Sequence, residues 1–331
     1  MRVIPVSGFF MTDRSYQPPN PLLRFPHLST ILPALLGSSE QNALVRDSIR
    51  LTDGELITVD WLRNGSEGLL IVLPGLEGHS RRVYMTATAH RLSNAGWDVL
   101  LLNHRGTEGG TLTRPRTYHG GAIEDLRDVI DYVCKDHSCY AKIAACGFSL
   151  GGNITLNYLG NPDIDRPAKL VAGIGISVPC DFTGAAQVIN QGLPHLIYGK
   201  RFLRELKSRV RRHRSIYEQG IDCNAALKST TLFEFDDQFT GPLNGFGNAE
   251  NYYRRVSCLQ YILNIEVPTL LVNARNDPLL SDSCFPFEHA DQNAYFQIEA
   301  PRSGGHVGFS HNFSFSEFYY VDRICEWLER H

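Results

Sequence analysis

The chain has 331 residues, of which 43% are hydrophobic and 20% are charged, as in ordinary globular proteins. Its formal net charge is -3, so it lacks the overall positive field that attracts nucleic acid. No stretch approaches the roughly 18 uncharged apolar residues of a membrane span, and residues 1–14 are too short and too polar for a secretory signal. We therefore expect a soluble, cytoplasmic protein that binds no nucleic acid.

The chain outside the region of about residues 180–266 has the pattern of a sheet with intervening helices. Residues 1–45 are rich in proline and irregular, and we expect them to wrap around the core without forming a domain. Residues 46–62 form two alternating runs joined by turn residues, which is typical of an antiparallel hairpin. Short apolar runs then alternate with helical spacing, which predicts an α/β fold with a mostly parallel sheet and helices on both faces. These runs are Leu69–Gly75, Asp98–Gly106, Lys142–Phe148, Leu170–Pro179 and Pro268–Asp277.

The strand pattern stops at about Cys180 and resumes at Val267. An inserted helical cap of residues 180–266 is the simplest explanation, with a core of residues 46–179 and 267–331. Within the cap, residues 201–214 place three apolar side chains on one helical stripe among basic residues; they are Leu203, Leu206 and Val210. The basic residues form a solvated face or, alternatively, meet anionic lipid or substrate.

Residues Gly147–Gly151 carry the pattern G-x-S-x-G between a strand-like run and a helix-compatible one. A strand that turns sharply into a helix strains the serine backbone, and side chains larger than glycine would collide there. The oxygen of Ser149 would then lie at a helix N-terminus, where backbone N–H groups favour negative charge. We predict that Ser149 is a nucleophile; the alternative is a small residue in an ordinary turn.

A serine hydroxyl is a weak nucleophile unless a histidine takes its proton and an acid orients that histidine. Where the motif is catalytic at the end of a strand, the acid and then the histidine follow the serine in the chain. Asp277 ends the next strong strand, and His306 lies in a later glycine-rich loop. We predict a triad of Ser149, Asp277 and His306. Taken singly, Asp277 could cap a turn and His306 could be a surface residue.

Acyl transfer also needs donors for the oxyanion. The N–H of Leu150 follows the nucleophile, and the N–H of Leu76 lies in the loop after an earlier strand, so we predict these two. The sequence His119–Gly121 resembles an oxyanion motif but comes after the next strand, so we interpret it as a helix entry near the site. For His104 and Arg105, structural roles are the better interpretation.

No cofactor or metal is implied by the sequence. The eight cysteines are scattered without a C-x-x-C pair, and no phosphate loop or dinucleotide fingerprint is present. His79, His104 and His119 do not have recognisable metal-ligand spacing.

Several motifs together resemble the YheT-like α/β hydrolases, which are related to eukaryotic abhydrolase-domain lipases and esterases. The resemblance covers nearly the whole chain and includes "FPHLSTILPALL", "PGLEGHS", "NHRG", "GFSLGGN", "EFDDQFTGPLNGF", "NARNDPLL" and "GGHVGF". It implies an α/β-hydrolase fold with a helical cap, the triad Ser149, Asp277 and His306, and carboxylesterase or lipase-type activity. Pro74 and Asn276 differ from residues common in the family, but neither change removes a triad group.

We therefore expect a serine hydrolase that cleaves small-molecule or lipid esters through an acyl-enzyme. Acyl transfer to an alcohol or thiol, phospholipid cleavage and a binding module without turnover are the alternatives. Peripheral membrane contact through the cap is a further expectation, and the sequence does not indicate an oligomeric state. The carboxylates of Glu234–Asp237 are expected to anchor the cap to the core through arginine or histidine, with direct substrate contact as the alternative.

Overall fold

One sheet of eight strands forms the centre of the protein in a computed structural model that describes residues 16–38 and 44–331. The strands are β1 (Val45–Arg50), β2 (Leu56–Leu62), β3 (Gly68–Leu73), β4 (Asp98–Leu102), β5 (Lys142–Phe148), β6 (Leu170–Ile176), β7 (Thr269–Val272) and β8 (Phe296–Glu299). Their order is β1-β2-β4-β3-β5-β6-β7-β8. The pairs β1–β2 and β2–β4 are antiparallel, and the others are parallel. The predicted hairpin and mostly parallel sheet are confirmed.

Helices connect and cover the strands in the described part of the chain. They are α1 (Pro26–Leu36), α2 (Val83–Asn94), α3 (Ile123–Asp136), α4 (Leu150–Gly160), α5 (Phe182–Ile189), α6 (Gly192–Pro194), α7 (Lys200–Arg212), α8 (Arg214–Tyr217), α9 (Cys223–Lys228), α10 (Leu232–Phe235), α11 (Gly241–Leu243), α12 (Ala249–Val256), α13 (Phe287–Gln292) and α14 (Tyr319–Leu328). Within the described ranges, no helix is both long and apolar enough to cross a bilayer.

Both faces of the sheet are covered because successive side chains of a strand point to opposite sides. In β3, Leu69 and Ile71 join one hydrophobic cluster, whereas Leu70 and Val72 join another. The first cluster contains the apolar side of α3 and α4, and the second contains that of α2 and α14. The expected α/β fold with helices on both faces is confirmed.

Residues 177–268 contain helices α5 to α12 and no strand. We call residues 182–264 the helical insertion; the cap boundaries 180–266 remain a prediction. The predicted stripe of α7 is buried in a cluster that lies largely within the insertion, and its members are Leu203, Leu206 and Val210. The insertion is therefore held together by apolar contacts of its own.

The carboxylates of Glu234–Asp237 do not anchor the insertion to the core, so that expectation is wrong. Glu234 accepts hydrogen bonds from Thr230, Asp236 from the hydroxyl of Tyr253, and Asp237 from the backbone N–H of Ala249. All three partners lie inside the insertion. Glu234 is used locally because the start of α10 leaves backbone N–H groups that a nearby carboxylate can satisfy.

The expected wrapping segment 1–45 is only partly described. Residues 1–15 and 39–43 lie outside the described residues, so the expectation that residues 1–14 are not a secretory signal also falls outside them. The described part of the segment includes α1, whose backbone contacts the loop of His306.

Candidate active site

Ser149 lies in a tight turn between β5 and α4. Its backbone has φ +51° and ψ −117°, a strained conformation for a residue with a side chain. A Cβ atom at Gly147 would overlap the backbone of Gly151, and one at Gly151 would overlap the carbonyl oxygen of Pro74. Both flanking glycines are therefore required by close backbone contacts, as the motif predicts.

The structure brings Ser149, His306 and Asp277 together. The Nε2 atom of His306 lies 2.9 Å from Oγ of Ser149, and its Nδ1 atom lies 2.8 Å from Oδ2 of Asp277. A carboxylate only accepts hydrogen bonds, so Nδ1–H donates to Asp277 and Nε2 is left to accept from the serine hydroxyl. The three residues follow β5, β7 and β8, whose carboxyl ends share one edge of the parallel sheet.

Asp277 is shielded from water, and His306 is not. The side chain of Asp277 is fully buried, whereas that of His306 is 11% exposed. The other carboxylate oxygen of Asp277 accepts the backbone N–H of Leu279 at 2.9 Å. Asp277 is therefore fixed on one side by its own turn and on the other by the imidazole.

Three side chains hold the loop of His306, and sequence reasoning missed these contacts. The backbone N–H groups of Gly305, His306 and Val307 donate, respectively, to Asn276 at 3.0 Å, Thr30 at 2.9 Å and Ser177 at 2.9 Å. The loop needs this support because Val307, a β-branched residue, has a positive φ angle of +56°. The acceptors come from widely separated parts of the chain, so no local sequence pattern joins them.

Leu76 and Leu150, the predicted sources of the oxyanion donors, both line a cavity at Ser149. Leu150 is the first residue of α4, where an N–H has no acceptor within the helix. Leu76 lies in the turn after β3 and lines the same cavity as Ser149. A Cβ atom built on the preceding Gly75 would lie 3.3 Å from Cβ of Ser149, which shows how closely this turn approaches the serine.

Ser149 stands where two cavities meet. The inner cavity has a volume of about 120 Å³ and lies between the sheet edge and the insertion. The outer cavity has a volume of about 440 Å³ and lies between α1, the start of α2 and the start of α7. Ser149, His306 and Leu76 line both cavities. A substrate attached at Ser149 would therefore have two separate spaces for its two ends.

The inner cavity is mainly apolar but also has polar side chains in its lining. Its apolar lining includes Phe182, Ile189, Phe202, Leu206, Leu232 and Leu279. Polar and charged side chains also line it, among them Asp236, Arg209 and His119. Burial raises the pKa of Asp236 to about 6, although hydrogen bonds from Thr240 and Tyr253 act in the opposite direction. Burial also lowers the pKa of His119 to about 3, so its imidazole is neutral at pH 7.

Arg209 departs from the solvated basic face predicted for α7. It is buried, and its Nε donates to Glu77 at 2.8 Å. The hydroxyl of Tyr118 donates to the same carboxylate oxygen at 2.6 Å, and the guanidinium lies 4.6 Å above the ring of Tyr118. Because Glu77 and Tyr118 belong to the core, this pair links the insertion to the core. The spacing of apolar residues in α7 predicts its apolar stripe, but it does not predict a buried ion pair.

His104 and Arg105 support the loops around the site. The Nε2 atom of His104 lies 2.9 Å from the carbonyl oxygen of Pro74, and its ring stacks on Tyr118. Burial lowers the pKa of His104 to about 4, so the neutral ring donates Nε2–H to that carbonyl. Arg105 is buried and forms ion pairs with the buried Asp125 and the partly exposed Asp53. Both residues act on the protein itself, in agreement with structural roles.

The residues His119–Gly121 precede α3, as expected for a helix entry. The N–H of Gly120 donates to the hydroxyl of Tyr252, and the N–H of Gly121 donates to the ring of His119. These N–H groups are thus used within the protein. In the described part of the chain, no three His, Cys, Asp or Glu side chains converge as a metal site requires.

The sequence match agrees with this architecture. Residues 68–284 match the family of the alpha/beta hydrolase fold. The chain therefore belongs to the alpha/beta hydrolase fold family.

Within that family, the predicted resemblance to YheT-like proteins is confirmed. The chain is 28% identical to Escherichia coli YheT over 310 residues, which covers 91% of this chain and 89% of YheT. It is 29% identical to the mouse protein named Phospholipase ABHD3 over 306 residues, covering 89% of this chain and 73% of that protein. Among solved structures, the Pyrococcus furiosus esterase Pf2001 has a TM-score of 0.59 at 17% identity, covering 87% of this chain and 92% of that one. This last similarity concerns the fold alone.

Proposed function

We propose that this protein is a serine hydrolase that cleaves carboxylic esters. The observation that carries the proposal is the continuous hydrogen-bonded chain from Asp277 through His306 to Ser149, placed where two cavities meet. Each member has the role that its atoms allow. Ser149 is the nucleophile, His306 is the general base and acid, and Asp277 orients the imidazole.

In the first half of the reaction, Oγ of Ser149 attacks the ester carbonyl carbon as its proton moves to Nε2 of His306. The carbonyl oxygen becomes an oxyanion, for which the N–H groups of Leu76 and Leu150 are the donors. The C–O bond to the alcohol then breaks, and His306 returns the proton to the leaving oxygen. The products of this half are the alcohol and an acyl-enzyme at Ser149.

In the second half, water attacks the acyl carbon as His306 accepts a proton from it. The second oxyanion collapses, and the proton returns to Oγ of Ser149. The carboxylic acid is released, and the enzyme is restored. Asp277 stabilises the imidazolium that forms in each half, because its buried carboxylate has no other positive partner at hydrogen-bond distance among the described residues.

The two cavities support a division of the substrate. The inner cavity suits the acyl chain because its walls are mainly apolar. The outer cavity suits the alcohol part because it is larger and has arginines at its rim, including Arg81, Arg82 and Arg201. A lipid ester with a polar alcohol part fits this arrangement, and the relationship to a protein named as a phospholipase supports the same class.

Acyl transfer is the second candidate, and the size of the outer cavity favours it. A volume of about 440 Å³ has room for an acceptor alcohol beside the acyl-enzyme. The first half of the reaction is then unchanged, and the alcohol takes the place of water. Added acceptor alcohols would divert product from the acid to a new ester.

Hydrolysis of p-nitrophenyl esters from acetate to palmitate tests the proposal, together with fluorophosphonate labelling. Ser149→Ala is expected to lose labelling and about 10⁶ in kcat. Ser208→Ala is the matched control, because Ser208 is an exposed serine on the insertion. Wild-type protein that neither labels nor turns over any ester would reject the catalytic proposal and favour a binding module.

A further inference from the structure

The exposed apolar side chains of this protein are concentrated in two short segments. Seven of the thirteen large hydrophobic side chains that are exposed in the described residues belong to residues 22–36 and 193–196. They are Leu22, Phe25, Leu28, Leu35, Leu36, Leu193 and Leu196, and we call them the apolar rim. Leu35 and Leu36 are each 65% exposed and Leu196 is 57% exposed. A soluble protein rarely leaves such a group uncovered unless it binds something.

The two segments of the apolar rim lie side by side at one cavity. The Nδ1 atom of His27 lies 3.0 Å from the hydroxyl of Tyr198, and the two rings stack. Ala34 and Leu35 line the outer cavity from one side, and Ile197 and Tyr198 line it from the other. The apolar rim therefore borders the outer cavity that leads to Ser149.

The helix α1 has the composition of a segment that lies against lipid. Its sequence PHLSTILPALL contains no Asp, Glu, Lys or Arg. Leu28 and Leu35 are seven residues apart, so they share one face of the helix. An exposed helical face of this kind can insert into the boundary between lipid headgroups and acyl chains.

Basic side chains surround the apolar rim, although the whole chain is slightly acidic. Exposed basic residues close to it in sequence or on the outer cavity are Arg24, Arg81 and Lys200. The basic side chains there outnumber the acidic ones, because Glu205 accepts from Arg201 and the single carboxylate of Glu108 is shared by Arg46, Arg81 and His79. The local charge is therefore positive, which favours an anionic partner.

We propose that the apolar rim docks on the surface of an anionic lipid bilayer. Its leucines enter the headgroup boundary, and the neighbouring basic side chains lie against lipid phosphates. The outer cavity then opens toward the membrane, and a lipid ester can reach Ser149 without crossing bulk water. The use of this surface rests on the proposed function, but the docking itself needs no turnover.

A second copy of the chain fits the apolar rim less well than lipid does. A two-fold interface places the same patch of both copies face to face. The basic residues around the rim would then oppose each other across the interface, and like charges brought together raise the free energy of the complex. An anionic bilayer satisfies the apolar and the basic groups at the same time.

Co-sedimentation with phosphatidylcholine vesicles, with and without phosphatidylglycerol, tests the proposal. The test variant is the triple substitution Leu36→Ser, Leu193→Ser and Leu196→Ser, in which none of the residues lines a cavity at Ser149. The matched control is Leu56→Ser, Leu263→Ser and Phe313→Ser, because these side chains are exposed but lie outside the apolar rim.

Wild type and control should bind anionic vesicles, and binding should fall with added salt. The test variant should bind at least about tenfold more weakly while its rate on a soluble short-chain ester stays unchanged. Equal vesicle binding by test and control variants, or no binding by wild type, would overturn the docking proposal. So would a wild-type dimer in solution that becomes a monomer in the test variant without loss of lipid affinity. Ser149→Ala should bind vesicles like wild type. Vesicle binding therefore tests the docking proposal, and ester hydrolysis tests the catalytic proposal separately.

Discussion

The backbone N–H of His306 donates a hydrogen bond of 2.9 Å to the hydroxyl of Thr30, a residue that lies 276 positions earlier in the chain. Thr30 in turn donates to the carbonyl oxygen of Pro26 in the same helix. A Cβ atom at Gly305 or Gly308 would overlap atoms of Ser29, so the loop and α1 are in close backbone contact. The helix α1, which carries Leu28, Leu35 and Leu36 of the apolar rim, therefore also positions the imidazole opposite Ser149.

Thr30→Val should lower kcat on a soluble ester by about 10- to 100-fold. The substitution keeps the shape of the side chain but removes the acceptor for the His306 N–H, and a small displacement of a reacting group is costly. Thr30→Ser keeps the hydroxyl and should retain most of the activity. The measurement is kcat together with the rate of fluorophosphonate labelling. Equal losses in both variants would show that only packing at this position matters.

Asn276 has two contacts that can be separated by substitution. Its side-chain oxygen accepts the N–H of Gly305 at 3.0 Å, and its side-chain nitrogen donates to the carbonyl oxygen of Arg24 at 2.9 Å. Asn276→Ala should lower kcat by about tenfold, because the Gly305 N–H loses its acceptor.

Asn276→Asp is the informative comparison for this position. The carboxylate still accepts from Gly305 but faces the carbonyl oxygen of Arg24, so the attachment of the N-terminal segment weakens. We expect kcat to stay within about threefold of wild type while the unfolding temperature falls. A loss of kcat as large as that of Asn276→Ala would contradict the assignment of the loop contact to the amide oxygen.

The nucleophile turn could be predicted from sequence because its requirements are local. Gly147 and Gly151 flank Ser149 between a strand-like and a helix-like run, and the same few residues produce both the strain and the close contacts. The alternation of apolar runs likewise predicts the parallel sheet, since each buried strand shows its burial in its own residues. Asp277 and His306 were each expected after a strand-like run, and in the structure they follow β7 and β8.

Contacts between distant segments could not be predicted in this way. In the sequence, Arg209 is one of several basic residues on α7. Its partner Glu77 lies 132 positions away, in the turn after β3. The amphipathic pattern identifies which side of a helix is apolar, but it contains no information on which charged side chain meets a buried partner. The prediction that Asp236 contacts the core was wrong for the same reason. Its partner Tyr253 belongs to another helix of the insertion.

Substitutions of Arg209 and Glu77 should have strongly non-additive effects on the free energy of unfolding. Only 3% of the Arg209 side chain and 11% of the Glu77 side chain are exposed, so Arg209→Met leaves a buried carboxylate without its cation. We expect a loss of about 3–5 kcal/mol in the free energy of unfolding, measured with urea. The double variant Arg209→Met with Glu77→Gln should recover much of this loss. Additive effects of the two single substitutions would show that the pair does not act as a unit.

The pH dependence of stability should report on Asp236. Burial raises the pKa of its carboxyl to about 6 in the folded protein, compared with about 3.9 in an unfolded chain. The folded state therefore holds the proton more tightly, and this contribution to stability is complete below about pH 4 and is lost as the pH rises through about 6. Asp236→Asn keeps a neutral side chain at every pH. The unfolding temperature of this variant should therefore rise relative to that of wild type as the pH increases from about 4 to about 6.

A second substitution tests whether Asp236 causes this loss of stability with rising pH. The hydroxyl of Tyr253 donates to Asp236 at 2.8 Å, and this hydrogen bond lowers the pKa of the carboxyl. Tyr253→Phe should therefore raise the pKa further and move the loss of stability to higher pH. Differential scanning fluorimetry of wild type, Asp236→Asn, Tyr253→Phe and the double variant between about pH 4 and pH 8 gives the midpoints. If Asp236→Asn shows the same loss of stability with rising pH as wild type, the titrating group is another residue.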